Sequence, residues 1–316
     1  MFKIRAPKIN DLRNLEQLFK DDLFIRNINR KKLFCLVQTL IPIHFRIIPS
    51  IHIATEEKNI VGFIVLENNS NTNSSWLIDE VFVLDEMRNK GIGEELLRYV
   101  LSVYGGYGVE HFLAEVDSQN FPALSLFHQC GFRRYSKVCF YKKEVELLKI
   151  KEEDLLDKDF ILRPQLKNDL SELEKMDLSS IPPDLRPALG RSKNYYKNKP
   201  NTIVLLDKSR NLIVGWANNE RQENSSYLIE LLISPGWTHL YQYFLNTIIY
   251  SIETNLAKVE VIVKAIDYIT DLTEMLSKNG YLTTEVKELL VRTIWQKAKE
   301  KKKKVAKVGA PSIAPT

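Results

Sequence analysis

Six consecutive residues, Arg88-Asn89-Lys90-Gly91-Ile92-Gly93, hold the densest chemistry of the 316-residue chain. Glycines at 91 and 93 let the backbone turn tightly and approach a ligand closely. The helix expected to follow, from Glu94 to Tyr104, would turn its unpaired N–H groups and positive dipole end toward an anion. Arg88 and Lys90 add positive charge, and a pyrophosphate is the natural guest. Two glycines by themselves also suit a plain turn, and only the setting between strand and helix favours the anion site. The spacing is neither G-x-G-x-x-G nor G-x-x-x-x-G-K-[ST], because Leu96 stands where a third glycine would and no Lys-Ser/Thr follows Gly93. A nicotinamide or ATP site is disfavoured.

The elements that must position this loop are legible from periodicity. Phe2–Arg5 reads as a strand, and Asn10 or Asp11 caps a helix carrying Leu12, Leu15, Leu18 and Phe19 at helical spacing. Ile25 to Ile43 has a helical pattern that ends near Pro42. Ile51–Thr55 and Val61–Leu66 form a hairpin, the polar Asn68 to Ser75 a second turn, and Trp76–Leu84 a strand that leads into the glycine loop. After the helix come a strand at His111–Val116, a helix from Pro122 to Gln129, and a β-rich run Phe132–Lys142 with a break near Ser136. Mixed order of this kind predicts an α/β or α+β unit, a mixed sheet with helices on its faces.

That unit occurs twice. Phe2, Arg5, Asn10, Asp11, Leu12, Leu15 and Glu16 recur as Phe160, Arg163, Asn168, Asp169, Leu170, Leu173 and Glu174. Asn73-Ser-Ser-Trp-Leu-Ile78 recurs as Asn224-Ser-Ser-Tyr-Leu-Ile229, and Gly131-Phe132 as Gly280-Tyr281. The expected organisation is therefore a first copy over 1–148, a charged linker over 149–159, a second copy over 160–298 and a disordered Lys-rich tail over 299–316. The second copy lacks the glycine loop: its strand Tyr227–Ser234 runs into Pro235-Gly236-Trp237-Thr238-His239, with no arginine and no paired glycines. Leu240, Phe244, Leu245, Ile248, Ile249 and Ile252 keep the packing face of the following helix. The core of the second copy is retained and the phosphate cradle is lost.

Arg-x-x-Gly-x-Gly after a strand, followed by Asn120-x-x-Ala123-x-x-Leu126-Phe127 and Gly131-Phe132, resembles the GNAT acyltransferase superfamily over the whole first copy. The resemblance implies two tandem GNAT-like domains, each a mixed, mostly antiparallel sheet flanked by helices, the second degenerate. It implies direct acetyl transfer from acetyl-CoA, as acyl-donor cosubstrate, to a primary amine on a protein N-terminus, a lysine or a small molecule. The backbone from Arg88 through Asn89, Lys90, Gly91 and Ile92 to Gly93 would hold the pyrophosphate. Phe82 and Val83, where two parallel strands splay, would meet the pantetheine and the acyl carbonyl. Asn120 would hydrogen-bond the pantetheine arm, with Phe127 beside it.

By the same resemblance Glu115 matches the catalytic Glu of bacterial enzymes that acetylate ribosomal-protein N-termini, and Glu80 is a second candidate base, acting directly or through a water. Either carboxylate would serve equally as a solvated or salt-bridged strand residue. Many family members carry a proton-donating Tyr at the position of Phe127, which cannot donate; Tyr135, His128 or water would have to substitute. Cys130 and Cys139 read as packed thiols. The acceptor contacts are expected from Asp21 to Ile43; Trp237, His239, Tyr241 and Tyr243 read first as a core and surface aromatic cluster and only second as the lining of an acceptor groove. The alternative reading, motivated by Phe127, is a non-catalytic acyl-CoA-binding sensor or interaction scaffold.

Composition narrows the partners. The net charge is +5, but seven Lys against one Glu from Lys297 onward account for +6, so the body is close to neutral and nucleic acid is not expected as a partner except weakly through that tail. Three cysteines, Cys35, Cys130 and Cys139, have neither metal-ligand spacing nor an even count, so no metal and no disulfide framework are expected. The N-terminus lacks the apolar core of a signal peptide, and Leu33 to Phe45 is too short and too interrupted to span a bilayer. These features predict a cytoplasmic protein, monomer or homodimer, with no membrane partner.

Overall fold

The structure is a computed structural model of the full chain, and it describes residues 2–11, 14, 15, 18, 50–57, 59–68, 74–183, 185–191, 193–222, 226–252 and 256–294. The expected helix Ile25 to Ile43, the acceptor segment Asp21 to Ile43, Cys35 and the tail over 299–316 lie outside these residues.

The first half contributes β1 (Phe2–Arg5), β2 (Ser50–Glu56), β3 (Asn59–Asn68), β4 (Ser75–Val83), helix α1 (Ile92–Gly106), β5 (His111–Asp117), α2 (Phe121–Gln129) and β6 (Arg133–Glu146). The second half follows the same order with β7 (Phe160–Pro164), α3 (Leu170–Ser180), the short helices α4 (Arg186–Leu189) and α5 (Lys193–Asn198), and β8 (Thr202–Asp207). It ends with β9 (Leu212–Arg221), β10 (Ser226–Ile233), α6 (Tyr241–Tyr250), β11 (Lys258–Ile266), α7 (Thr270–Lys278) and β12 (Leu282–Thr293).

Periodicity and caps account for these elements. α1 buries Leu96, Leu97, Val100, Leu101 and Tyr104 on one face. α2 is capped by Asn120, whose side-chain oxygen accepts from the Ala123 amide at 3.1 Å, and has Pro122 in its first turn. Gly131 (φ 84°) and Gly280 (φ 76°) end α2 and α7 in the left-handed region, which explains why Gly-Phe and Gly-Tyr repeat.

A second repeat has an equally local cause. Arg5 grips Asp11 at 2.5 and 3.0 Å, and Arg163 grips Asp169 at 2.7 and 2.9 Å, while each carboxylate also accepts a backbone amide, from Lys8 and from Leu166. The arginine in each pair holds its aspartate below the usual carboxylate range. Asp11 closes a short turn at Ile9–Asp11 and ties that turn to β1; the helix expected after Asn10 or Asp11 is described only at Asn14, Leu15 and Leu18, which are helical.

All strands join one sheet in the order β1-β2-β3-β4-β5-β12-β6-β11-β10-β9-β8-β7. The order is its own mirror image when each strand of one half is exchanged for its counterpart in the other. The last strand of each half has crossed over: β12 lies between β5 and β6, and β6 pairs with β11. The sequence reading, which placed each copy in its own unit, did not anticipate this exchange. Leu290 of β12 is buried in the first half's core with Trp76, Tyr104 and Phe112, while Cys139 and Tyr141 of β6 are buried in the second half's core. The break expected near Ser136 is a bulge, since Leu289 and Leu290 pair with Ser136 and Arg134 and Tyr135 is left over.

Because β5 needs β12 and β6 needs both β12 and β11, a fragment ending at residue 148 would bare one edge of β5 and both edges of β6. We expect such a fragment to form a dimer that exchanges β6 and so rebuilds a continuous sheet, or to aggregate. Light scattering after size exclusion checks this, and a soluble, natively packed monomer would contradict it.

Candidate active site

β4 and β5 pair in parallel over only four residues, Ser75–Ile78 with His111–Ala114. The next pair would set Asp79 against Glu115, two carboxylates, and like charges directly opposite destabilise a ladder. Asp79 is also skipped in the pairing with β3, a bulge that turns the strand. The equivalent ladder of the second half runs one pair further because there Glu230 faces Lys264. Beyond Ile78, then, β4 splays away from β5; Asp79, Glu80 and Val81 line the cavity that opens there, and Phe82 and Val83, expected at a cosubstrate site, do not. Phe82 stacks on Phe63, with ring centroids 5.1 Å apart, and the Val83 carbonyl accepts from Arg88 Nε at 3.4 Å.

The glycine loop packs beside Val83 and Leu126, and none of Arg88 to Gly93 is among the residues that line the cavity. Gly91 has φ 80°, and a β-carbon built there would meet nothing within 4 Å, so the residue keeps open the side that a ligand would approach. Gly93 packs against α2, where a β-carbon would come within 3.1 Å of Leu126. The amides of Lys90 to Glu94 make no backbone hydrogen bond among the described residues. Ile92 is buried and contributes only its backbone, and Asn89 takes φ 60°. Arg88 pairs with Asp85 at 2.7 Å, Lys90 is exposed, and the first-turn Glu94 is turned away onto Arg98 at 2.7 Å. Orphan amides and a left-handed glycine next to two splayed parallel strands fit a pyrophosphate with an extended amide arm behind it.

A cavity of about 660 Å³ extends from this splay to the matching splay of the second half. The first half lines it with Glu80, Glu115, Asn120 and Phe127, and the second with Arg191, Tyr195, Lys199, Glu230 and Lys264. Glu115 is bound through both oxygens to Lys264 Nζ, at 3.1 and 3.0 Å. A carboxylate offers about four lone-pair directions, so it retains capacity for a further donor. Asn120 has its oxygen engaged at the helix cap, which leaves its amide nitrogen for a ligand. Phe127 is buried edge-on against Phe132, with centroids 5.0 Å apart. Neither His128 nor Tyr135 lines the cavity. Burial pushes the Cys130 and Cys139 thiols up, as expected for packed cysteines.

The second half's counterpart of the glycine loop is a short turn at Pro235–Leu240 in which Gly236 is not left-handed and Pro235 has no amide to give. Trp237, His239, Tyr241 and Tyr243 do not line the cavity: Trp237 packs edge-on to Phe160 beneath Arg210, and Tyr241 is core. The polar wall comes instead from around β10. Glu230 accepts from the Tyr195 hydroxyl at 2.5 Å and from Lys199 at 3.1 Å. Burial would raise the Glu230 carboxyl, but Lys199, Lys264 and Arg191 prevail and hold it down to about 2. The repeat could have pointed to Glu230 and Lys264, as counterparts of Asp79 and Glu115. Nothing in the spacing marks Arg191 or Tyr195.

Residues 15–132 match the acetyltransferase (GNAT) family. That match lies entirely within the first half of the chain. The whole chain has the fold of tandem GNAT proteins. It is similar to a tandem GNAT protein from the clavulanic acid biosynthesis pathway, at 10% identity, 93% coverage of this chain, 98% of that one and a TM-score of 0.59. A GCN5-related N-acetyltransferase from Sphaerobacter thermophilus is similar at 12% identity, 92% and 95% coverage and a TM-score of 0.55. A probable N-acyltransferase from Enterococcus faecalis V583 is similar at 10% identity, 93% and 73% coverage and a TM-score of 0.61. No curated protein matches the sequence. Among the described residues of this GNAT-fold chain, no helix is long and apolar enough to cross a membrane.

Proposed function

We propose that the first half binds acetyl-coenzyme A and transfers its acetyl group to a primary amine held in the shared cavity, and that the second half has lost the cosubstrate site and serves as the wall of the acceptor site. The observation that carries this reading is the left-handed Gly91 with the free amides of α1 beside the splay of β4 from β5, an arrangement of loop and helix that the Pro235–Leu240 turn lacks. The loop from Arg88 to Gly93 holds the pyrophosphate, the β4 edge from Asp79 to Val83 takes the amide arm, and the Asn120 nitrogen steadies that arm. When bound, the cosubstrate supplies the acyl thioester.

Glu115 accepts the proton of the attacking amine; the nitrogen bonds to the acyl carbon as the carbon–sulfur bond breaks, and the electron pair leaves on sulfur. A thiolate is a good leaving group, so the phenylalanine at 127 does not block the chemistry. Glu80, on the same wall, is the alternative base. The buried Phe127 and the absence of His128 and Tyr135 from the cavity favour a second reading, a non-catalytic acyl-CoA-binding sensor or scaffold.

Calorimetric titration of the full chain with acetyl-coenzyme A tests the common core of both. One site per chain is expected; two sites or none would overturn the assignment. Consumption of the thioester in the presence of amines then separates the enzyme from the sensor.

A further inference from the structure

Three cations of the cavity wall are already paired, Lys199 with Glu230 at 3.1 Å, Lys264 with Glu115 at 3.0 Å and Lys287 with Glu285 at 3.2 Å. Arg191 is different. Its guanidinium lies over the Tyr195 ring, 4.5 Å from the centroid, and has no carboxylate within salt-bridge distance among the described residues. The nearby Asp177 directs Oδ2 to the Arg191 backbone amide at 2.9 Å instead, and burial pushes its carboxyl up. A guanidinium is never neutral in a protein; Asp177 and Glu230 act on this one only from beyond contact distance, so its N–H donors have no carboxylate directly upon them. The planar fork of arginine, oriented by the ring beneath it, suits a two-oxygen anion.

We propose that Arg191, supplied by the second half, binds a carboxylate of the acceptor, so that the substrate class is an amino acid or a related compound bearing both an amine and a carboxylate. This rests on the acetyl-transfer reading above. A carboxylate brings one negative charge to the guanidinium, the least that a two-oxygen anion can bring to a wall that is itself rich in carboxylates. A phosphate monoester would bring about −1.5 to −2 into a wall that also carries Glu230 and Glu115. The contacts from Glu115 to Lys264, from Glu230 to Tyr195 and from Tyr195 to Arg191 run along the cavity, and Glu230 faces Lys264 in the sheet. Glu115 and Arg191 are therefore joined by contacts along one wall, and amino acids of increasing length probe the span between them.

The test uses the full chain and matched pairs: glycine, β-alanine, γ-aminobutyrate and lysine against methylamine, ethylamine, propylamine and cadaverine. Transfer is read as coenzyme A thiol released, and binding without turnover by saturation-transfer NMR on the same compounds. At least one longer amino acid is expected to exceed its amine by about tenfold to a hundredfold in kcat/KM. R191Q should erase that preference through KM, with kcat and coenzyme affinity little changed, and R191K should restore part of it.

Equal turnover of the pairs, or a preference that survives in R191Q, overturns the proposal. Should no compound turn over, a carboxylate-dependent saturation-transfer signal that disappears in R191Q upholds the anion site while the transfer reading falls. The absence of any such signal overturns the anion site itself, and coenzyme binding is scored separately.

Discussion

Replacing Gly91 with Asp is expected to weaken acetyl-coenzyme A binding by at least about thirtyfold. Two unit charges 4 Å apart at an effective dielectric of about 20 interact by about 4 kcal/mol, and exposure to solvent and salt discounts this by about half. The remaining 2 kcal/mol or so corresponds to about thirtyfold in affinity. Gly91→Ala separates charge from strain. At φ 80° an alanine is strained by roughly 1–2 kcal/mol, yet its β-carbon would touch nothing within 4 Å. The alanine variant should therefore lose stability but keep much of its affinity. Titration calorimetry on both variants, with melting curves alongside, decides the matter: an Asp variant that binds as tightly as the parent would remove the loop from the cosubstrate site.

Glu115→Gln is expected to lower kcat by about 10²–10⁴, the usual contribution of a general base, with coenzyme affinity unchanged because no part of the glycine loop is touched. The same change leaves the Lys264 ammonium, which sits 3.0 Å from Glu115, facing a neutral amide. Part of any loss could therefore be structural. The double variant Glu115→Gln with Lys264→Met removes both charges; if it regains stability and stays slow, the loss belongs to the base. Glu80→Gln provides the comparison on the neighbouring strand. Steady-state rates for the three variants, in an assay with an accepted amine, would assign the base elsewhere if Glu115→Gln alone kept the parent rate.

The strand exchange bears on how the second half has been kept without a cosubstrate site. A free-standing unit that lost its glycine loop could be lost altogether, but here β12 completes the first half's core through Leu290, and Lys264 reaches the first half's carboxylate. Ser75 likewise donates to the carbonyl of Ala188 in α4 at 2.7 Å. The second half is thus a structural part of the first half's site, and mutations in β12 should be felt in both melting and turnover.

The sequence by itself determined the strand and helix order, the two-fold repeat and the glycine loop. Each is written in short stretches where backbone demand meets residue type: the left-handed glycine of the loop, the Asn120 cap, the Arg–Asp pair that recurs in both copies. It also located the loss of the cradle in the second copy, since a proline and a missing arginine are visible without coordinates. Only the tertiary structure decided which copy of the last strand completes which half. Backbone ladders read no side-chain identity, and β6 and β12 hold the same place in the element order of the two copies, so that order leaves either pairing open. The acceptor wall was hidden for a related reason. Lys264 meets Glu115 across 149 residues of chain, and Arg191 follows a short helix with no motif to mark it, so their chemistry exists only where the exchanged sheet brings the two splays together.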